Sequence, residues 1–234
     1  MKVALVTGAS SGIGRAIAIE LHKKGYHIIN ASRRPEPKEG GTPTHELVNG
    51  EYMRVDLTYG SEASFFVEKV KEKYDKVDVV VHNAGILPLK DKYTVSELED
   101  LFWVNTLSPY FMTQELIFRG VLKEGGVVTF ISSISGIRGE PDDIPYGASK
   151  AALIGMMKGF VQKYPQYRFV CIAPGLIKTW LVGDPEDCPQ ELIDRIPLKR
   201  QGLPEEVAKL IVHVVENEFI NGTTIIIDGG EVRW

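Results

Sequence analysis

Near the amino terminus an apolar run passes directly into a glycine-rich turn, Val3-Ala4-Leu5-Val6-Thr7-Gly8-Ala9-Ser10-Ser11-Gly12-Ile13-Gly14-Arg15. The apolar run predicts a buried β-strand, and apolar residues three and four apart predict a helix over 12–24. Glycines in such a turn let the backbone approach a pyrophosphate, whose charge is favoured by the free N–H groups at the helix amino end. Taken alone, the three glycines are also compatible with a tight structural turn.

The rest of the chain repeats this alternation of short apolar runs and longer segments of helical period. Further strands are predicted at 26–31, 52–55, 77–81, 127–131, 168–172 and 223–227, and further helices at 61–74, 94–122, 146–164 and 204–217. Because the runs are almost continuously apolar, helices should cover both faces of the sheet. The pattern predicts an α/β protein with a doubly wound Rossmann fold: one domain over residues 1–234, built on a seven-stranded parallel sheet.

Two proline-containing segments show neither the apolar pattern of a strand nor that of a helix. Residues 33–50 are predicted to be mostly loop. Residues 176–202 surround an acidic centre and are long for a connection in a compact domain, so we expect a substrate lid there. Several apolar side chains in and near these segments either line a substrate pocket or pack on the body of the protein: Ile137, Ile144, Leu176, Ile177, Trp180 and Leu181.

Composition narrows the class of protein. The 234 residues are 44% hydrophobic and 25% charged, which is typical of a soluble globular protein. A formal charge of -4 lacks the basic excess expected of a nucleic-acid binder, so no nucleic-acid partner is expected. No apolar run is long enough for a signal peptide or a membrane span, and we expect a cytoplasmic protein without a membrane partner. Cys171 and Cys188 form no metal-binding pattern, so no metal site is predicted.

Tyr146-Gly147-Ala148-Ser149-Lys150 carries a chemical signal. Residues four apart share a helix face, so the Tyr146 phenol and the Lys150 ammonium can address one site. A tyrosine that moves protons near neutrality needs a nearby cation, because its ordinary pKa is about 10. Ser132-Ser133 follows the predicted fifth strand, at the sheet edge where such folds bind ligands. Taken alone, such a pentapeptide is more often an aromatic residue and a lysine packed at a helix start.

Together these motifs resemble the short-chain dehydrogenase/reductase family, in the subtype that includes 3-oxoacyl reductases, sugar dehydrogenases and carbonyl reductases. The similarity extends over essentially the whole chain. Besides the glycine turn and the Tyr146–Lys150 motif, it rests on His82-Asn83-Ala84-Gly85, Trp103-Val104-Asn105-Thr106, Ala173-Pro174-Gly175 and Ile227-Asp228-Gly229-Gly230. His82 departs from the family's asparagine, and we expect it to be structural rather than an acid or base.

The resemblance implies an NAD(P)-dependent oxidoreductase that transfers a hydride between nicotinamide and a small-molecule alcohol or ketone. It implies Tyr146 as general acid/base, with Ser133, Lys150 and Asn105 as the other catalytic residues. It implies cofactor binding by Gly8, Ser10, Ser11, Gly12, Ile13, Gly14, Ser32, Arg33, Asp56, Leu57, Asn83, Ala84, Gly85, Tyr146, Lys150, Pro174, Gly175 and Thr179. Asp56 is also compatible with a turn or cap residue. The alternatives are a non-catalytic dinucleotide sensor and an isomerase or dehydratase of the same family.

The end of the second strand, Asn30-Ala31-Ser32-Arg33-Arg34, bears on cofactor preference. Members that prefer NAD place a carboxylate where this chain has Ser32, whereas Arg33 offers a planar fork of donors to a 2′-phosphate. We expect NADP(H) to be preferred over NAD(H). Ser11 stands where many strongly NADP-preferring relatives have a second cation, and Glu36 is the nearest acid along the chain.

Relatives assemble through two helices, which correspond to 94–122 and 148–160 here. The second segment mixes Ala, Gly and Met with few charges, a composition that suits close packing against another helix. We expect a homotetramer, and otherwise a homodimer. The alternative is that these apolar residues face only the protein's own sheet.

Overall fold

A computed structural model describes residues 1–48, 50–181 and 183–232. Within them, seven strands form one parallel sheet in the order β3-β2-β1-β4-β5-β6-β7. The strands are β1 (Lys2–Thr7), β2 (Tyr26–Ser32), β3 (Gly50–Arg54), β4 (Val77–His82), β5 (Leu122–Ile131), β6 (Arg168–Pro174) and β7 (Thr224–Ile227). The doubly wound α/β prediction is confirmed. The strand order reverses between β1 and β4, and ligands bind at such a switch point, beyond the carboxyl ends of the strands.

Helices cover both faces of this sheet. In chain order they are α1 (Gly12–Lys23), α2 (Thr44–Leu47), α3 (Gly60–Tyr74), α4 (Val95–Phe102), α5 (Ser108–Phe118), α6 (Ser135–Arg138), α7 (Ile144–Lys163), α8 (Gln190–Arg195) and α9 (Pro204–Glu216). Side chains of α3, α5 and α7 form one apolar core with the sheet, and those of α1 and α9 form the other. Successive residues of a strand point to opposite faces, so Leu5 enters the first core and Val6 the second.

The helix predicted over 94–122 is present from Val95 to Phe118, but one turn breaks its α-helical hydrogen-bond pattern. A π-helical turn, Trp103–Leu107, separates α4 from α5, and the chain has already entered β5 at Leu122. Pro109 explains the break, because it has no N–H to donate to the Asn105 carbonyl four residues earlier. Instead, the Ser108 N–H bonds to the Trp103 carbonyl, which widens the turn by one residue.

The described parts of the two irregular segments contain only short helices. The predicted loop over 33–50 includes the single turn α2. The segment over 176–202 is closed at its base, where the Lys178 N–H bonds to the Gly202 carbonyl and the Gly202 N–H to the Leu176 carbonyl, both at 2.9 Å. Ile177 packs against the core, whereas Trp180 and Leu181 are exposed. Ile177 therefore packs on the body of the protein, whereas Trp180 and Leu181 remain available to line a substrate pocket.

The structure contains no helix, among the residues it describes, with the length and apolarity needed to cross a membrane. The same described ranges hold no group of three or more His, Cys, Asp or Glu side chains placed to bind a metal ion.

Candidate active site

The glycine turn leaves the amino end of α1 open. Gly8 and Gly12 have φ angles of +67° and +55°, which favour glycine. A Cβ atom on Gly14 would lie 2.4 Å from both the Gly8 carbonyl oxygen and Asn83 Nδ2, so no side chain fits there. Ser11 precedes α1 in extended conformation without a side-chain capping bond. The turn therefore fits a dinucleotide phosphate, which needs close backbone approach and free N–H groups.

Asn83 fastens the turn to the neighbouring strand. Its Nδ2 donates to the Thr7 carbonyl at 3.0 Å and to the Gly8 carbonyl at 3.3 Å. The N–H groups of Asn83 and Ala84 both donate to Thr7 Oγ1 at 3.0 Å. These bonds hold the ends of β1 and β4 together at the switch point.

The β5–α7 region brings three predicted catalytic residues together. Ser133 follows β5, and Tyr146 and Lys150 lie one turn apart on α7, with Lys150 Nζ 5.6 Å from the centroid of the Tyr146 ring. The Ser133 side chain lies close enough to Tyr146 to influence the pKa of its phenol, and the Ser133 hydroxyl accepts a bond from the Ser135 N–H at 3.1 Å. Lys150 Nζ donates to the Ile131 carbonyl at 2.9 Å. A phenol, a hydroxyl and an ammonium thus share one end of the sheet.

Burial has the largest effect on the pKa values of Tyr146 and Lys150. It raises the pKa of the Tyr146 phenol, the negative charge of Asp143 raises it further, and the nearby Ser133 side chain lowers it. Burial lowers the pKa of Lys150 to about 8. The phenol therefore holds its proton at neutral pH, and proton transfer near that pH would require its pKa to be lowered. Stabilisation of the phenolate by Lys150 stays a prediction.

Asn105 lies next to Lys150, inside the π-helical turn. Its Oδ1 accepts a bond from the Ile86 N–H at 2.9 Å, and its Nδ2 donates to the Ile86 carbonyl at 3.0 Å and to Ser149 Oγ at 3.1 Å. A Cβ on Gly85 would lie 3.2 Å from Lys150 Nζ and 3.3 Å from Asn105 Oδ1. The run from Asn83 to Gly85 therefore extends from the glycine turn to Asn105 and Lys150.

The carboxyl ends of β2 and β3 hold the next predicted residues. Ser32 is buried, and its hydroxyl donates to Asn30 Oδ1. Asp56 Oδ1 accepts bonds from the Thr58 N–H at 3.1 Å and the Thr58 hydroxyl at 2.7 Å, as a turn residue does. Burial raises the pKa of Asp56, but the Thr58 bonds and the charge of Arg33 outweigh burial and lower it. The side chain of Leu57 lies in the core, and its carbonyl accepts a bond from the Ser108 hydroxyl at 2.6 Å.

The remaining predicted residues lie at and beyond the end of β6: Pro174, Gly175 and Thr179. The Gly175 N–H donates to the Ile227 carbonyl at 3.0 Å, and the Pro174 carbonyl accepts from the Ile134 N–H at 3.0 Å. The Thr179 methyl would lie 3.4 Å from a Cβ on Gly12. The start of the 176–202 segment thus reaches the glycine turn, where Ser10, Ser11 and Ile13 also lie.

Residues that the sequence did not indicate also reach this cleft. Glu39 Oε1 accepts a bond from the Gly12 N–H at 3.3 Å and lies 3.8 Å from Arg15 Nε. Glu39, rather than Glu36, is therefore the acid at the glycine turn. Asp143 is the other addition, through its charge on Tyr146. Both residues lie in irregular loops, where the spacing of residues along the sequence does not predict contacts.

Comparisons with known proteins decide the family. A family model described as Enoyl-(Acyl carrier protein) reductase matches residues 8–231. The 3-oxoacyl-[acyl-carrier-protein] reductase of Thermotoga maritima is 34% identical, over 99% of this chain and 98% of that protein. The chain belongs to the short-chain dehydrogenase/reductase family. Another similar protein is the 2-dehydro-3-deoxy-D-gluconate 5-dehydrogenase of Dickeya dadantii, 32% identical over 98% of this chain and 94% of that one.

Solved structures agree with this assignment. The crystal structure of a blue fluorescent protein from a metagenomic library, in complex with NADPH, has a TM-score of 0.89 and 25% sequence identity. The match covers 99% of this short-chain dehydrogenase/reductase and 98% of that chain. The chain is thus an oxidoreductase of a family that binds nicotinamide dinucleotides.

The structure agrees with a structural role for His82 in this short-chain dehydrogenase/reductase. His82 Nε2 lies 2.8 Å from Thr113 Oγ1, and the ring stacks on Phe130 with centroids 5.2 Å apart. Burial lowers the pKa of His82 to about 3, so the imidazole is neutral and unsuited to proton transfer near neutral pH.

Proposed function

We propose that this chain reversibly oxidises and reduces a small-molecule alcohol/ketone pair, with Tyr146 as general acid/base. The observation that carries the proposal is the meeting of Ser133, Tyr146 and Lys150 at the carboxyl edge of β5. A bound nicotinamide cofactor would supply or accept the hydride.

Each protein group has a role that its surroundings support. Tyr146, whose raised pKa keeps the proton on the phenol, donates it to the carbonyl oxygen during reduction. The Ser133 hydroxyl shares the hydrogen bonding of that oxygen and stabilises its developing charge. Lys150 orients the ribose and returns a proton to Tyr146. Asn105 supports a water on that proton route; its carbonyl receives no bond from Pro109, the residue four positions later, which has no N–H.

For the cofactor we propose NADP(H) in preference to NAD(H). Gly8, Gly12 and Gly14 support close approach of the phosphates. Arg33 is exposed beyond β2 and has the charge and the fork of donors that a 2′-phosphate requires. The remaining proposed cofactor contacts are those given by the family motifs, with Asp56 and Leu57 at the adenine side and Pro174, Gly175 and Thr179 at the nicotinamide side. Residues 176–202 are proposed as the substrate lid, and the cytoplasm as the location.

The phenolic proton of Tyr146 is the feature to test. Tyr146→Phe should lower turnover by about 10² to 10⁴, the usual contribution of a positioned acid, and leave cofactor affinity nearly intact. The measurements are NADPH consumption with a panel of ketones, followed by absorbance, and NADPH binding by calorimetry. Lys150→Ala should weaken both binding and turnover.

The same assay distinguishes the alternatives. Near-normal activity of Tyr146→Phe on its best substrate would contradict the assigned role. Cofactor binding by the unmodified protein without turnover across a broad panel of alcohols and ketones would favour a dinucleotide sensor instead.

A further inference from the structure

Residues 33–43, which we name the strap, contact both the glycine turn and the segment over 176–202. Glu39 in the strap accepts the Gly12 N–H at 3.3 Å and lies 3.8 Å from Arg15 Nε. Arg15 is itself held by Thr44, since its Nη1 donates to Thr44 Oγ1 at 3.0 Å. A carboxylate of the chain therefore occupies the open amino end of α1, where negative charge is stabilised.

The strap also contacts the opposite wall of the cleft. Lys38 Nζ donates to the Trp180 carbonyl at 3.1 Å, at the start of the proposed lid. Thr179, next to Trp180, packs over Gly12. Glu39 and Lys38 are neighbours in the chain, so a movement that releases one contact moves the other. The strap thus links the glycine turn to the lid.

Cations surround the carboxylate. Burial lowers the pKa of Lys38, the positive charges of Arg34 and Arg33 lower it further, and the negative charge of Glu39 raises it. Glu39 therefore interacts with cations on both sides of the strap contact, with Arg15 at 3.8 Å and with the charge of Lys38. A phosphate has more charge than a carboxylate and more acceptor oxygens, so it competes for the same N–H and the same cations.

We propose that Glu39 is a specificity-determining residue, whose carboxylate occupies the anion position at α1 until a phosphate of the cofactor displaces it and releases the strap from the lid. The inference rests on the proposed dinucleotide binding. Its chemistry is that of a phosphate, which belongs either to the pyrophosphate or to the 2′-phosphate of the cofactor. A ligand without a phosphate gains nothing from displacing Glu39.

Glu39→Gln tests the proposal, because it keeps the shape of the side chain and removes its charge. We expect the dissociation constant of NADPH, measured by calorimetry, to fall about fivefold to tenfold, as removal of one like-charge repulsion predicts. Glu36→Gln is the matched control. Glu36 is in the same strap, but its negative charge raises the pKa of Tyr52, and its replacement should leave the affinity for NADPH unchanged.

Two fragments identify the phosphate concerned. Adenosine 2′-monophosphate has the 2′-phosphate and no 5′-phosphate, and ADP has the pyrophosphate and no 2′-phosphate. The fragment that gains affinity in Glu39→Gln carries the competing group, and a gain by either supports the proposal. Unchanged affinity for NADPH and both fragments would overturn it.

Weaker binding of NADH or NADPH to Glu39→Gln would also overturn the proposal, since Glu39 would then be a ligand of the ribose hydroxyls. If NADPH binds the unmodified chain and Glu39→Gln equally, only the role of Glu39 fails. If neither binds any dinucleotide, the proposed function fails as well. Thermal unfolding of each variant confirms that the fold is intact.

Discussion

Asp143 is the single residue whose charge we expect to shift the pH dependence of catalysis. It lies three residues before Tyr146, and its charge adds to the effect of burial in raising the pKa of the phenol. Asp143→Asn removes the charge, so the pKa of Tyr146 should fall. Alcohol oxidation needs the deprotonated phenol as base, and its kcat/KM should therefore rise at lower pH than in the unmodified enzyme.

The measurement is a kcat/KM–pH profile in the oxidation direction. Asp142→Asn is the control, because Asp142 acts on Asp143 rather than directly on Tyr146. A profile that Asp143→Asn leaves in place, or moves to higher pH, would contradict the expected coupling.

Arg33 carries the prediction on cofactor preference. Arg33→Ala should raise the KM for NADPH about tenfold, the loss of one charge-assisted hydrogen bond of about 1.4 kcal/mol. The KM for NADH should change little, because NADH has no 2′-phosphate. Arg34→Ala removes a neighbouring exposed cation and should have a smaller effect. Equal catalytic efficiency of the unmodified enzyme with NADPH and NADH would refute the preference.

Among the elements, the break between α4 and α5 sets the position of Asn105. Pro109→Ala restores the missing N–H donor, so we expect Trp103–Leu107 to become α-helical and Asn105 to shift relative to Lys150. Stability should hold or rise, because alanine favours a helix. Turnover should fall by up to about 10²-fold, as small displacements of positioning groups do.

Turnover and the thermal midpoint, measured together, separate these effects. Pro204→Ala is the matched control, since Pro204 is the first residue of α9, where the missing N–H costs little. Full activity of Pro109→Ala would show that the π-helical turn is not needed to place Asn105.

This turn also shows how far sequence reasoning reaches. The strands and the glycine turn were predictable, because apolar runs and glycine spacing are local signals that tertiary packing reinforces. The apolar period continues through Trp103–Leu107, so periodicity alone predicts one helix, and the break depends on one missing donor at Pro109. The contacts of Glu39 depend on the course of an irregular loop, which periodicity does not describe.

At the scale of the whole molecule, one face of the protein has the character of a subunit interface. Apolar side chains of α4 and α5 are exposed there: Val95 by 74%, Phe118 by 66% and Phe111 by 39%. A cavity of about 290 Å³ between Val95, Phe102, Trp103 and their neighbours opens on this face. On α7, a Cβ on Gly155 or Gly159 would meet no atom of the described residues within 4 Å. Because Gly155 and Gly159 have no side chains and face away from the rest of the subunit, a second helix can approach α7 closely there.

We propose that these helices join copies of this chain into a homotetramer, or otherwise a homodimer. Gly155→Arg should break the contact, because the new side chain has room within its own subunit but not against a partner helix. Light scattering at micromolar concentration should show a smaller assembly, with the thermal midpoint of the subunit fold retained. Gln166→Arg adds the same charge at an exposed turn and should keep the full assembly. A monomeric unmodified protein would refute the proposal.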